Sequence, residues 1–243
     1  MPAPTTTSLG LSLGTCPPGS PLAPAIASYR CYAWGDSRTV GGHGQVTADS
    51  WRQALYEMAL SSLGVTITAV GTTASTAPNW GLHRAVNGVT LATLLSGLQA
   101  DPTTLLTNPD PDVVMLCPVG INDLIGGTSG ADTVELLRQF LEILRPFTNA
   151  RGVSPRVVCS YEYYHSGQSA SGRVDDFNAA LPAMIATQVG LGQKVVLIDP
   201  RPAVNHTVWL HPDGNTYDVL AQVVFRGFCN AIGMDAQWGR PTS

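Results

Sequence analysis

Charge is scarce in this chain. Asp, Glu, Lys and Arg make up 12% of its 243 residues, against a usual share of about 25%. Thirteen basic residues stand against 17 acidic ones, a net charge of −4. Lys194 is the only lysine and the arginines are scattered singly, so the basic stripe that a nucleic-acid surface needs is missing. The five cysteines, Cys16, Cys31, Cys117, Cys159 and Cys229, show no C-x-x-C spacing, which leaves zinc and dithiol redox motifs unsupported. Long apolar runs are also missing, which excludes a membrane-spanning helix. Residues 1–18 carry no basic residue ahead of a short apolar patch and make a poor signal peptide.

What is present suits a packed globular domain. Hydrophobic residues account for 44% of the chain, too many for a disordered segment. A chain of this length can bury roughly three quarters of the surface its unfolded form exposes, without help from metal or disulfide. Residues 1–27 are rich in Thr, Ser, Pro and Gly and read as an irregular arm or linker; residues 28–243 read as one domain. Short β-branched runs predict strands over Ser28–Ala33, Val65–Val70, Asp112–Cys117, Arg156–Tyr161 and Lys194–Asp199. Helical periods predict helices over Ala48–Leu63, Leu91–Leu98, Thr133–Ala150, Val174–Val189 and Thr216–Gly233. In the third, Val134, Leu137, Leu141 and Leu144 fall on one face. Five strands alternating with five helices imply right-handed crossovers, a mostly parallel five-stranded sheet and a three-layer α/β/α sandwich.

In such sheets ligands bind beyond the carboxyl ends of the strands, so the chemistry lies in the loop that leaves each strand. After strand one comes Gly35-Asp36-Ser37-Arg38, whose serine could present a hydroxyl and a backbone N–H at the sheet edge. After strand two a long loop ends at Asn87-Gly88-Val89-Thr90, where Gly88 would let the backbone approach a ligand closely. After strand three, Gly120-Ile121-Asn122-Asp123 offers the Asn122 amide as a donor. After strand five, His211-Pro212 offers a general base to the serine. Each is an ordinary turn composition taken alone; their order and placement are what is specific.

Together these four loops resemble the SGNH hydrolase superfamily, the GDSL esterases and lipases. The family's Gly-Asp-Ser matches Gly35-Asp36-Ser37, its isolated glycine matches Gly88, its Gly-x-Asn-Asp matches Gly120-Ile121-Asn122-Asp123, and its Asp-x-x-His-Pro is matched in part by His211-Pro212. The resemblance runs from about residue 28 to residue 233. It implies a flavodoxin-like SGNH fold and a metal-free, cofactor-free carboxylic ester hydrolase. Ser37 would be the nucleophile, His211 the general base, and Ser37, Gly88 and Asn122 the oxyanion hole.

Two positions depart from the pattern. Arg38 stands where the family often has leucine, a cation beside the nucleophile and a candidate substrate contact. Val208 stands where the family carries its triad aspartate, so His211 needs another acceptor for its Nδ1–H. A main-chain carbonyl near Val208–Trp209 is the first candidate, Asp213 the second, and Asp199 a third. His43, in Gly41-Gly42-His43-Gly44, and Trp80 and His83, in the loop before Gly88, are further candidates to meet substrate. Tyr161-Glu162-Tyr163-Tyr164-His165 offers aromatic side chains after strand four.

The expected activity is hydrolysis of small O-acyl, above all acetyl, esters of carbohydrates, since the chain lacks a long apolar lid segment. The partner is then a small-molecule or polysaccharide ester, with no nucleic acid. A lipase, lysophospholipase or thioesterase is the alternative within enzymes. An inactive carbohydrate-binding or structural module of a phage tail or cell-surface assembly is the alternative outside them. Location stays open, with an extracellular or virion-associated setting compatible with the arm.

Overall fold

The computed structural model describes residues 28–41, 51–74, 80–107, 109–163, 170–204, 211 and 214–233. The predicted arm, His43, Val208 and Asp213 lie outside them. Among the described residues seven strands form one sheet: β1 Ser28–Gly35, β2 Thr66–Val70, β3 Thr73–Ala74, β4 Leu82–Ala85, β5 Val113–Leu116, β6 Arg156–Ser160 and β7 Val195–Ile198. The strand order is β3-β4-β1-β5-β6-β7, and β2 also pairs with β1. All pairs are parallel except β3 with β4.

β2 and β4 share one flank of β1. Ser28–Tyr32 pairs with Thr66–Val70, and further along Trp34 and Gly35 pair with Arg84 and Ala85. The five predicted strands are therefore all present as β1, β2, β5, β6 and β7. The two unforeseen ones, β3 and β4, are a two-residue and a four-residue segment of the loop after β2, too short for alternation to register. Taking β2 with β4 as one interrupted strand, the order reverses between β1 and β5. That is the switch point at which doubly wound sheets open a crevice.

The helices are α1 Ser37–Val40, α2 Trp51–Leu63, α3 Leu91–Ala100, α4 Pro102–Thr107, α5 Ile121–Ile125, α6 Gly130–Leu144, α7 Ser171–Gly190 and α8 Gly214–Ala231. Expected helix 133–150 ends six residues early, because Pro146 has no N–H to continue the ladder. Two cores sandwich the sheet. Tyr29, Cys31 and Ala33 of β1 and Val113 and Met115 of β5 face α2 and α8, packing with Trp51, Leu55, Leu220 and Phe228. The alternate residues Tyr32, Trp34, Val114 and Leu116 pack with Leu91, Leu95, Leu137, Leu141, Phe177 and Leu181 of α3, α6 and α7. A strand buried on both faces reads as a continuous apolar run rather than as alternation, as Val113–Leu116 does.

Cys31, Cys117, Cys159 and Cys229 are buried, acting as small hydrophobes; burial alone pushes the Cys159 thiol up to about 12. The amino end of the sheet is bolted by Asp112. Its carboxylate accepts the Arg30 N–H at 2.7 Å and Asn149 Nδ2–H at 2.8 Å and pairs with Arg151. The carboxyl end is left for the loops. Among the described residues no helix is long and apolar enough to cross a membrane.

Candidate active site

Ser37 is placed by a turn with almost no slack. A Cβ at Gly35 would lie 2.2 Å from Thr39 Oγ1 and 3.0 Å from the Pro118 carbonyl oxygen, so only glycine lets β1 pass under the β5 loop and turn. Asp36, in extended conformation, then caps α1: its Oδ1 accepts the Arg38 N–H at 2.9 Å. Ser37, the first residue of the helix, is 6% exposed. Its Oγ lies 2.7 Å from His211 Nε2, at hydrogen-bonding distance. These two groups come from opposite ends of the domain sequence, and the sheet brings them together.

The loop carrying Gly88 is tied to this turn and to α5. The Val86 N–H donates to the Gly35 carbonyl at 3.1 Å. Asn122 Nδ2 donates to the Val89 carbonyl at 2.8 Å, which uses one of its two amide hydrogens. Asp123, 3% exposed, accepts the Leu91 and Ala92 N–H groups at 2.6 and 3.1 Å, so a carboxylate from α5 occupies the amino end of α3. Burial pushes the Asp123 carboxyl up, against the pull of those two N–H donors. Gly88 has φ +70° and is exposed; the left-handed turn there suits glycine. The Gly35 turn, the loop of Gly88 and Asn122 are thus joined, by one main-chain bond and one from the Asn122 amide.

Arg38 sits elsewhere than expected. Its side chain is fully buried, with Nε and Nη2 donating to Asp36 at 3.1 and 2.7 Å and Nη1 and Nη2 donating to Glu162 at 2.7 and 3.1 Å. A guanidinium with no exposed surface cannot touch substrate, so that expectation is corrected. A charge taken out of water must be paired, and here two carboxylates supply the pairing. Burial works against the Arg38 charge, yet Asp36 and Glu162 beside it raise its pKa well above the ordinary value. Burial likewise pushes the Glu162 carboxyl up, against the pull of Arg38.

Trp80 is corrected for the same reason: it is fully buried, its ring 6.1 Å from that of Trp51. His83 is 3% exposed on β4, and its Nδ1 accepts the Ala85 N–H at 2.9 Å. Tyr163 is buried over Arg38 and Tyr161 lies 4.2 Å under the Arg201 guanidinium; Tyr164 and His165 lie outside the described residues. Asp199 accepts from the Arg201 N–H, Nε and Nη2 at 3.0, 2.7 and 2.6 Å, and Arg201 holds its carboxyl below the usual range. Glu162 and Asp123 are the buried acids that sequence reasoning passed over. The readable signal for Glu162 was a lone acid directly after an apolar strand.

No family model and no curated protein sequence matches the chain. Among solved structures it matches a family 3 carbohydrate esterase of Clostridium thermocellum at 22% identity and TM-score 0.65, over 87% of this chain and 100% of that one. An acetyl esterase solved with an acetate ion matches at 18% identity and TM-score 0.68, over 85% and 98% of the two chains. A lipolytic protein of the G-D-S-L family from Veillonella parvula matches at 18% and 0.56, over 82% and 97%. The fold is that of the SGNH hydrolases.

Proposed function

We propose that this chain is a serine esterase releasing small acyl groups, acetyl above all, from carbohydrate esters. The observation that carries the reading is the 2.7 Å approach of Ser37 Oγ to His211 Nε2, at the sheet's carboxyl edge. A serine hydroxyl is a weak nucleophile until an adjacent base takes its proton. Ser37 Oγ attacks the ester carbonyl carbon while His211 Nε2 accepts the hydroxyl proton. The carbonyl oxygen becomes an oxyanion, met by the N–H groups of Ser37 and Gly88 and the second amide hydrogen of Asn122. Each such donor lowers the barrier by about 3 to 4 kcal/mol. The intermediate collapses, His211 returns the proton to the departing alcohol oxygen, and an acyl-serine remains. Water, deprotonated by His211, then releases the acid and restores Ser37.

His211 works without the family's aspartate at position 208. A main-chain carbonyl accepting from Nδ1–H fixes the tautomer instead. Asp199 is engaged by Arg201, so Asp199→Asn leaves most of the activity, and Asp213→Asn does the same. A loss in either comparable to that of Ser37→Ala would overturn the main-chain proposal. The substrate class is tested by comparing p-nitrophenyl acetate with a long-chain p-nitrophenyl ester. The acetyl ester is expected to be turned over faster, and preference for the long chain would defeat the carbohydrate reading in favour of a lipase. Ser37→Ala should lower kcat by about 10⁴-fold or more.

A further inference from the structure

We infer that Glu162, acting through Arg38, is a positioning residue that holds the Ser37 turn at its working distance from His211. The inference rests on the esterase reading and adds to it a residue from the loop after β6. The helix that carries Ser37 has four residues, far too few to be stable alone, so its place depends on what grips it. The grip is the Asp36 carboxylate, which caps the helix and is itself completely buried. Asp36 is held by Arg38, and the fork of Arg38 is completed by Glu162.

Glu162 is in turn anchored outside the site. Its N–H donates to Asn178 Oδ1 at 2.9 Å and its carbonyl accepts from Asn178 Nδ2 at 2.8 Å, which braces the loop after β6 on α7. Because β5 lies between β1 and β6, the Arg38–Glu162 pair reaches past the β5 loop. Gly120 sits at that passage: a Cβ there would stand 3.2 Å from Thr133 Cγ2 and 3.8 Å from Glu162 Oε1. The Tyr163 ring lies 5.1 Å from the Arg38 guanidinium carbon, so the pair is covered as well as connected. Buried ion pairs are a weak source of stability, and apolar residues of similar volume often replace them without loss. A buried cation braced by two buried carboxylates, directly beside the nucleophile in the chain, therefore points to placement.

The test is a double-mutant cycle of Glu162→Gln and Arg38→Met, with kcat and KM on p-nitrophenyl acetate and the rate of fluorophosphonate labelling. A displacement of the nucleophile by about 1 Å can cost about 100-fold. Glu162→Gln is therefore expected to lower kcat and the labelling rate by about 10- to 100-fold, with KM within about two-fold. In the Arg38→Met background the same change should cost less than about two-fold, because the two residues act as one unit. Unchanged kcat in Glu162→Gln, or losses that multiply in the double variant, would overturn the inference. Should Glu162→Gln fail to fold by near-UV circular dichroism, Glu162→Asp serves, keeping the charge but shortening the reach. It should lower kcat by about 10-fold at unchanged KM, and full activity there would overturn the inference too. A wild type that neither hydrolyses esters nor labels would overturn the esterase reading itself; an active wild type with an indifferent Glu162→Gln overturns the positioning role alone.

Discussion

At the scale of single residues the site depends on what small groups leave room for. Gly35 has Thr39 Oγ1 2.2 Å from where a Cβ would stand, and Gly35→Ala must push Ser37 away from His211 or force Thr39 aside. Overpacking of this kind costs about 1 to 3 kcal/mol, so urea unfolding of Gly35→Ala should show that loss together with a marked fall in kcat. A fully active, equally stable variant would contradict the tight turn. His83 gives a pH signature. Burial, with the Arg52 cation nearby, pushes its imidazole down to about 4, below the unfolded value of about 6.5. Between those two values the unfolded chain binds a proton that the native state refuses, so stability falls as the pH falls. The loss is about 1.4 kcal/mol per pH unit and on the order of 3 kcal/mol in all. From pH 7 to pH 4.5 the urea midpoint should therefore drop further in the wild type than in His83→Gln. Equal drops would contradict a neutral buried His83.

At the scale of elements, the pieces that build the site are the ones hardest to read from the chain. Helices α1 and α5 have four and five residues, and β3 and β4 have two and four; neither period 3.6 nor period 2 emerges over so few positions. They exist because tertiary contacts hold them. Asp123 shows how: from α5 it caps α3 through the Leu91 and Ala92 N–H groups. Asp123→Asn replaces a carboxylate by an amide that accepts with one oxygen only, and should cost about 1 to 2 kcal/mol of stability. It should lower kcat as well, because the same loop carries Gly88. A variant with unaltered thermal midpoint and kcat would show that α3 and the Gly88 loop do not depend on that cap.

At the scale of the whole molecule, the five predicted strands and the five long helices were legible because each is either a continuous apolar run or an apolar stripe of helical period. Val113–Leu116, buried on both faces, and the Val134–Leu144 stripe of α6 are the clearest cases. The meeting of the loops was legible too, since parallel strands that end on one edge bring Ser37 to His211 and Asn122 to the loop of Gly88. Side-chain direction was not. Arg38 and Trp80 read as open to substrate, yet both turn inward, the desolvation offset by carboxylates in one case and by ring packing in the other. Low overall charge takes on a meaning here that composition alone withheld: of the chain's few charges, Asp36, Arg38, Asp123 and Glu162 lie in the interior beside the proposed nucleophile.

The central claim is that Ser37 is a nucleophile activated by His211. It is tested most directly by treating the folded protein with a fluorophosphonate and mapping the adduct by peptide mass spectrometry. One adduct is predicted, on Ser37, absent in Ser37→Ala and strongly slowed in His211→Ala. No adduct on Ser37 in the folded wild type, or an adduct on another residue that persists in Ser37→Ala, would contradict the account.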